Sequence, residues 1–319
     1  MSQVFTKSKL KVFFLEILNA FSYKGWRHLK SRIHFVSMVA TWILVLMIPV
    51  VLLGGLIFKS FHIMQVTSFS HLIFSGNWSP MAGQFGFAPF ILGSIWVTLL
   101  SVLFSLPVCF FSSIYLVYFA NPNLLKYFRP VIDILAGIPS VIYGVWGILI
   151  IIPFVSETVA PFFGYSTSGF NILSGALVLS VMIIPFILNI LIEIFKSVPL
   201  GLIETALSLG ATKWQCIRDA VVRKARPGVI SAYGLGLSRA FGETIAIMMV
   251  VGNIVKIPHG IFDGAYPLPA LIANNYGEML SIPLYDSALM FAALLLFVIV
   301  TAFNLLSRAL IIKYERNAN

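Results

Sequence analysis

The chain has 319 residues, 59% of them apolar and 10% charged, with a formal charge of +10. Soluble domains carry about 25% charged residues, so this composition excludes an ordinary soluble protein and indicates a polytopic membrane protein. Two cysteines and five scattered histidines offer neither a disulfide framework nor metal-ligand spacing.

Residues 1–34 mix Lys7, Lys9, Lys11, Lys24, Arg27, Lys30 and Arg32 with Phe13, Phe14, Phe21, Tyr23 and Trp26. This reads as a cytoplasmic, basic, amphipathic segment lying on the inner leaflet, with a disordered tail as the other reading. The first apolar run, 35–58, has too long a basic leader and core for a cleaved signal peptide, and no small-x-small site comes after it. Five further segments, at about 90–118, 130–154, 171–194, 229–254 and 286–312, are long enough to cross ~30 Å of hydrocarbon. The expected architecture is all-α, with six transmembrane helices over 35–312 and a short tail, 313–319.

The loops divide by charge. Outer loop 59–89 contains Trp78 and several Phe and Gly residues, and is expected to be irregular and anchored at the interface by its aromatic rings. Outer loops 155–170 and 255–285 are nearly free of basic residues. The connections on the other side carry Lys126 and Arg129, then Lys196, Lys213, Arg218, Arg223, Lys224 and Arg226, and the chain ends with Arg308, Lys313 and Arg316. The positive-inside rule places both termini in the cytoplasm. The positive charge orients the protein against anionic membrane lipid, and its distribution speaks against nucleic acid.

Breakers interrupt the spans: Pro107, then Gly137, Pro139 and Ser140, then Pro185. Each proline removes a backbone hydrogen bond that something must replace in lipid. They fit ordinary bundle packing, or a path flanked by Ser140 and Tyr143 and bent open at Pro139. Asp133, one turn into the third span, pairs with Arg129 at i−4 or reaches the interface. Cys109 and Cys216 read as small, inert residues.

The polar loop 196–228 is a different object. Pro199 suits the first turn of a helix, and Leu200, Ile203, Ala206 and Leu207 continue at helical spacing up to Gly210, a helix stop. A second helix is expected from Thr212 to about Lys224, before Pro227. Such an elbow suits the groove of a soluble partner. In the fifth span Arg239 lies about 11 residues from the entry at Gly228, ~16 Å deep. Glu243 is four residues on, beside a stripe of Gly234, Ser238, Gly242 and Ala246. Two readings are open: a structural ion pair, or a cationic station in a path for an anion such as phosphate, which arginine binds with forked donors.

Glu204, Thr205 and Ala206, with Gly210 four residues on, resemble the EAA-type loop of importer-class ABC permeases. Thr205 stands for an Ala, and Ala220, Val222 and Arg223 stand where that family has Ile, Leu and Pro. The string from Leu237 through Arg239, Gly242, Glu243 and Thr244 to Ala246, and then Gly252 and Asn253, resembles the PstC-type permeases of phosphate ABC importers. So do Arg129 with Pro130, and the run from Leu135 through Gly137, Pro139, Ser140 and Tyr143 to Gly144. The resemblance covers about 90–312. It implies a substrate path through Arg239, Glu243, Ser140 and Tyr143, and ATPase coupling through Glu204, Thr205, Ala206 and Gly210. It also implies a second permease (PstA-like), a cytoplasmic ATPase dimer (PstB-like) and a phosphate-binding protein (PstS-like). No cofactor is expected, and the absence of a GxxxxGK[ST] loop leaves ATP hydrolysis to the partner. The alternatives are a permease for another oxyanion (sulfate or molybdate), a channel or ion-coupled transporter, and an intramembrane enzyme.

Overall fold

A computed structural model describes residues 23–278 and 281–316, and they are mainly helical. The helices are α1 (Tyr23–Val66), α2 (Phe69–Phe74), α3 (Ala88–Phe119), α4 (Pro122–Gly137), α5 (Ser140–Phe162) and α6 (Ile172–Lys196). Next come α7 (Leu200–Ser208), α8 (Val222–Phe241), α9 (Ile245–Val250), α10 (Leu268–Asn275) and α11 (Pro283–Arg316). The one sheet among the described residues is the hairpin of β1 (Trp78–Ser79) and β2 (Gln84–Phe85).

The chain divides at Gly55 into two units. The first contributes residues 23–55 of α1, apolar on every side beyond Phe35, the pattern of a helix set in lipid. The expected surface segment 1–34 falls mostly on residues 1–22, outside the described residues; from Tyr23 the chain is already α1.

The second unit runs from Leu56 and centres on α6. Asn171 starts that helix, its Oδ1 accepting from the Ser174 N–H at 2.9 Å. Ile172, Leu179, Ile183, Ile187 and Leu191 are fully buried along it, against Val97 of α3, Ala232 and Ala240 of α8, and Val250 of α9. α3 and α6 run on through Pro107 and Pro185, so neither proline ends its helix. The expected small-residue stripe works in part. A Cβ at Gly234 would lie 2.6 Å from Ser307 Oγ, and one at Gly236 2.5 Å from Ile187 Cδ1. These glycines let α8 touch α11 on one side and α6 on the other. Ser238 joins in, donating to Asn304 Oδ1 at 2.7 Å.

Three expectations change. Outer loop 59–89 is built rather than irregular: Trp78 stacks edge-on against Phe85, Phe87 and Phe90, with ring centroids 5.4, 5.3 and 4.9 Å away. Those three rings are buried, so the aromatic residues bind each other. The expected third span, 130–154, is divided at Ile138 and Pro139 and its long helix is shifted to Ser140–Phe162. The expected fifth, 229–254, is divided between α8 and α9. Among the described residues five helices are long and apolar enough to cross a membrane: α1, α3, α5, α6 and α11.

The loop before α10 packs onto the start of α6, with the Ile172 and Leu173 N–H groups donating to Asp263 and Ile261 carbonyls. Asp263 holds the turn: its Oδ2 accepts from the His259 and Gly260 N–H groups at 2.8 and 3.0 Å. Those bonds, the His259 one foremost, hold its carboxyl below the ordinary value.

Both packing and turn can be tested. Gly234→Val should separate α8 from α11 and cost about 1–3 kcal/mol, read as a lower unfolding temperature in detergent; Gly201→Ala, which meets no neighbour, is the neutral control. For Asp263 the depressed folded-state pKa means a stabilisation that is complete above the unfolded value of about 4 and lost as pH falls through the folded one. Asp263→Asn should therefore lower the unfolding temperature at pH 7, and the gap to wild type should close on acidification below about pH 4.

Candidate functional site

The break between α8 and α9 has a local cause. Gly242 comes directly after Phe241, and glycine is a poor helix former. The Gly242 and Glu243 N–H groups fold back to the carbonyls of Arg239 (3.2 Å) and Ala240 (3.3 Å) in a tightened last turn. The chain restarts at Ile245, and Glu243 Oε1 accepts from the Ala246 N–H at 3.2 Å, capping the new helix.

This geometry corrects the expected meeting of Arg239 and Glu243. Contact at i+4 needs a continuous helix, and here the helix ends between the two residues. Glu243 turns to α9. Arg239 stays in the last turn of α8, where the helix dipole favours a cation, with its guanidinium 4.7 Å over the ring of Phe186 on α6. Among the described residues no carboxylate forms an ion pair with Arg239.

The second break lies beside the first. α4 ends at Gly137, Pro139 is extended, and α5 starts at Ser140, half-buried in its first turn. Tyr143 is buried and its hydroxyl donates to the Leu135 carbonyl at 2.8 Å, spanning the break. It lies within electrostatic range of Arg239. A Cβ at Gly144 would lie 3.4 Å from the Ala246 Cα, so α5 and α9, the downstream sides of the two breaks, are packed together. Tyr143, Arg239 and Glu243 thus gather where two helices are interrupted, and Ser140 begins the helix that carries Tyr143.

Arg129 and Asp133 do not pair with each other. Arg129 Nη2 donates to Glu193 Oε1 at 2.6 Å, and Asp133 Oδ1 accepts from Asn189 Nδ2 at 2.8 Å. α4 packs along α6, whose polar groups are nearer than its own.

The elbow forms as expected up to Gly210. Leu202, Ile203 and Ala206 of α7 face inward, and Leu200, Glu204, Leu207 and Leu209 are exposed. Thr205, where the resemblance has alanine, returns its hydroxyl to the Gly201 carbonyl at 2.7 Å. Gly210 adopts φ +84°, a left-handed helix end that glycine takes without strain and asparagine with little. Thr212 opens the next turn with a reciprocal capping box to Gln215. The second helix does not stop before Pro227. It passes through a π-type stretch, Cys216–Val221, into α8 and on to Phe241. Pro227, inside this helix, removes the hydrogen bond to the carbonyl of Arg223, a residue exposed on the surface of the helix.

Phe186, Asn189 and Glu193 were not foreseen as site residues. Their spacing of three and seven was the available signal, masked by a span read as uniformly apolar.

Residues 111–315 match the family described as the binding-protein-dependent transport system inner membrane component. The phosphate transport system permease protein PstC of Haemophilus influenzae is 37% identical over 256 residues, 75% of this chain and 80% of that protein. The probable ABC transporter permease protein YqgH of Bacillus subtilis is 39% identical over 236 residues, 73% and 75% of the two. Among solved structures, a chain of the inward-facing MetNI methionine ABC transporter is similar with a TM-score of 0.57 and 22% identity, over 75% of this chain and 99% of that one. This likeness supports the fold, and the sequence matches set aside the channel and enzyme readings. The chain belongs to the binding-protein-dependent transport system inner membrane component family and, within it, to the PstC-type permeases of ABC importers.

Proposed function

We propose that this permease carries inorganic phosphate, with Arg239 as the cationic station of the path. The observation that carries the reading is a guanidinium over Phe186 at a helix break, with no carboxylate ion-paired to it among the described residues. Interrupted helices are where transporters place substrate sites, because their loose ends and side chains can face a cavity. A guanidinium without a carboxylate partner keeps its forked donors for phosphate oxygens. Glu243 nearby prevents the anion from being held too tightly, and Ser140 and Tyr143 border the same break. The relatives named for phosphate transport support the choice of anion.

In this reading both termini are cytoplasmic and the chain crosses six times. The sixth crossing is the broken helix: residues 228–250 correspond to about 34 Å of helix, enough for ~30 Å of hydrocarbon. A second, PstA-like permease completes the path, and a PstS-like protein delivers phosphate outside. A PstB-like ATPase dimer receives the elbow, where Leu200, Leu207, Leu209 and Trp214 form an exposed apolar face around Glu204. Thr205, Ala206 and Gly210 hold the shape of that face.

Arg239→Gln should lower uptake of labelled phosphate by roughly a hundredfold at near-normal membrane abundance, the scale of losing a preorganised charge. Arg239→Lys should recover part of it, since an ammonium lacks the fork. R239Q/E243Q should stay inactive; wild-type uptake in that double variant would refute the station. Excess sulfate or molybdate should not compete with phosphate, and competition would shift the substrate to oxyanions generally.

The elbow has its own outcome. Nothing crowds a Cβ at Gly210, so only its positive φ resists substitution. Gly210→Asn should be tolerated. Gly210→Val, strained by about 1–2 kcal/mol, should lower co-purification of the ATPase and uptake together. Equal behaviour of the two variants would remove the elbow's shape from coupling.

A further inference from the structure

α6 is largely buried, and one of its partly open faces carries the helix's polar groups. Phe186, Asn189 and Glu193 lie three and seven residues apart and share a face, over about 10 Å of helix. Of the residues between them, Ile187, Leu188, Leu191 and Ile192 are buried and Ile190 is half-buried. The stripe begins where Arg239 covers Phe186. It continues through the Asn189–Asp133 hydrogen bond to the Glu193–Arg129 ion pair, so α4 runs antiparallel beside α6 with a matching polar face. Three residues further along each helix stands an exposed lysine, Lys196 on α6 and Lys126 on α4.

These groups are joined but not enclosed. The side chains of Arg129 and Glu193 keep 49% and 57% of their exposure. An ion pair left half-open to hydrocarbon is costly, and membrane proteins turn such groups toward water or toward one another. Arg129 gives Glu193 a single Nη2 contact, which leaves most of its five N–H donors unused by that partner. Along the stripe Arg239, Arg129, Lys126 and Lys196 stand against Glu243, Asp133 and Glu193, so the track stays net positive.

We propose that this stripe is wet and forms the elbow-side section of the anion's route, with Arg129 as a second anion-binding residue after Arg239. The proposal rests on the reading of Arg239 as the first station. Glu193 holds Arg129 in place when no anion is bound and competes for it when one arrives. That competition keeps the second station weak enough to release. Asn189, oriented by Asp133, lines the passage between the two arginines.

Arg129→Gln alone strands Glu193, so the informative variant is R129Q/E193Q in the assembled transporter. It should reach wild-type abundance while labelled phosphate uptake falls about tenfold, the scale of one lost charge-assisted hydrogen bond. Wild-type uptake in the double variant would make the pair scaffolding and overturn the proposal. A second measurement reads the water directly. Asn189→Cys, in membrane fragments open on both sides, should react with a charged, impermeant methanethiosulfonate, and inorganic phosphate should slow the reaction. A rate no faster than that of the buried native Cys109 would mean a dry stripe and would also overturn it. The two stations separate cleanly. Normal uptake by Arg239→Gln with a reactive, phosphate-protected Asn189→Cys would remove the first station and support the stripe. An inactive Arg239→Gln with an inert Asn189→Cys would remove the stripe alone.

Discussion

Hydrocarbon offers no partner for a free N–H or C=O, so a helix that stops within a membrane bundle must be finished by its own surroundings. Two such stops, at residues 137–139 and 242–244, organise this protein. Tyr143 donates across the first to the Leu135 carbonyl. Across the second, Arg239 and Ala240 carbonyls take the N–H groups of Gly242 and Glu243, and the Glu243 carboxylate takes that of Ala246. Each repair uses a residue that an unbroken helix would have pointed elsewhere, so the side chains of the site are fixed by the accounting of backbone groups.

The same accounting explains why Arg239 and Glu243 part. Glu243 serves as the acceptor for an N–H at the start of α9 and not as the partner of an arginine one turn back. Arg239 is held instead by the aromatic face of Phe186 and the negative end of α8. Both supports are softer than a carboxylate. They keep the guanidinium positioned without neutralising it, which an ion pair would do.

Much of this was legible in the residues. The apolar runs and the elbow with its stop at Gly210 come from hydropathy, turn chemistry and spacing. The course of the third and fifth segments did not, because a window of hydropathy reads 229–254 as one run. Gly242 is a weak signal among 23 glycines, and the break is completed by Glu243, which accepts from the Ala246 N–H at the start of α9. Pro227 misled in the other direction: it reads as a helix stop, and the helix from Lys213 runs through it to Phe241. The Arg129–Glu193 and Asp133–Asn189 links join α4 to α6, and no periodicity within one helix announces a partner on another. Trp78 could equally have been an interface anchor or a core ring; only the hairpin that returns Phe85 to it decides.

The elbow lies on the chain between the two helices that hold Arg239. α6, which carries Phe186, leads into α7, and the turn after Thr212 winds without a stop into α8, which carries the arginine. Tyr118 donates to the Phe195 carbonyl at 2.6 Å, and Lys213 sits 4.9 Å over Phe119, so the end of α3 is tied to the same corner. α6 and α8 are also in close contact: a Cβ at Gly228 would lie 2.7 Å from Ile194 Cγ2, and Gly236 abuts Ile187 higher up. Helices packed that closely move together rather than slide. In the proposed coupling role, a displacement of the elbow would meet little give between α6 and α8. It would reach the next place where the backbone is discontinuous, the join of α8 to α9, where α9 is held by α5 rather than by the elbow. Arg239 stands in the last turn of α8, directly before that discontinuity.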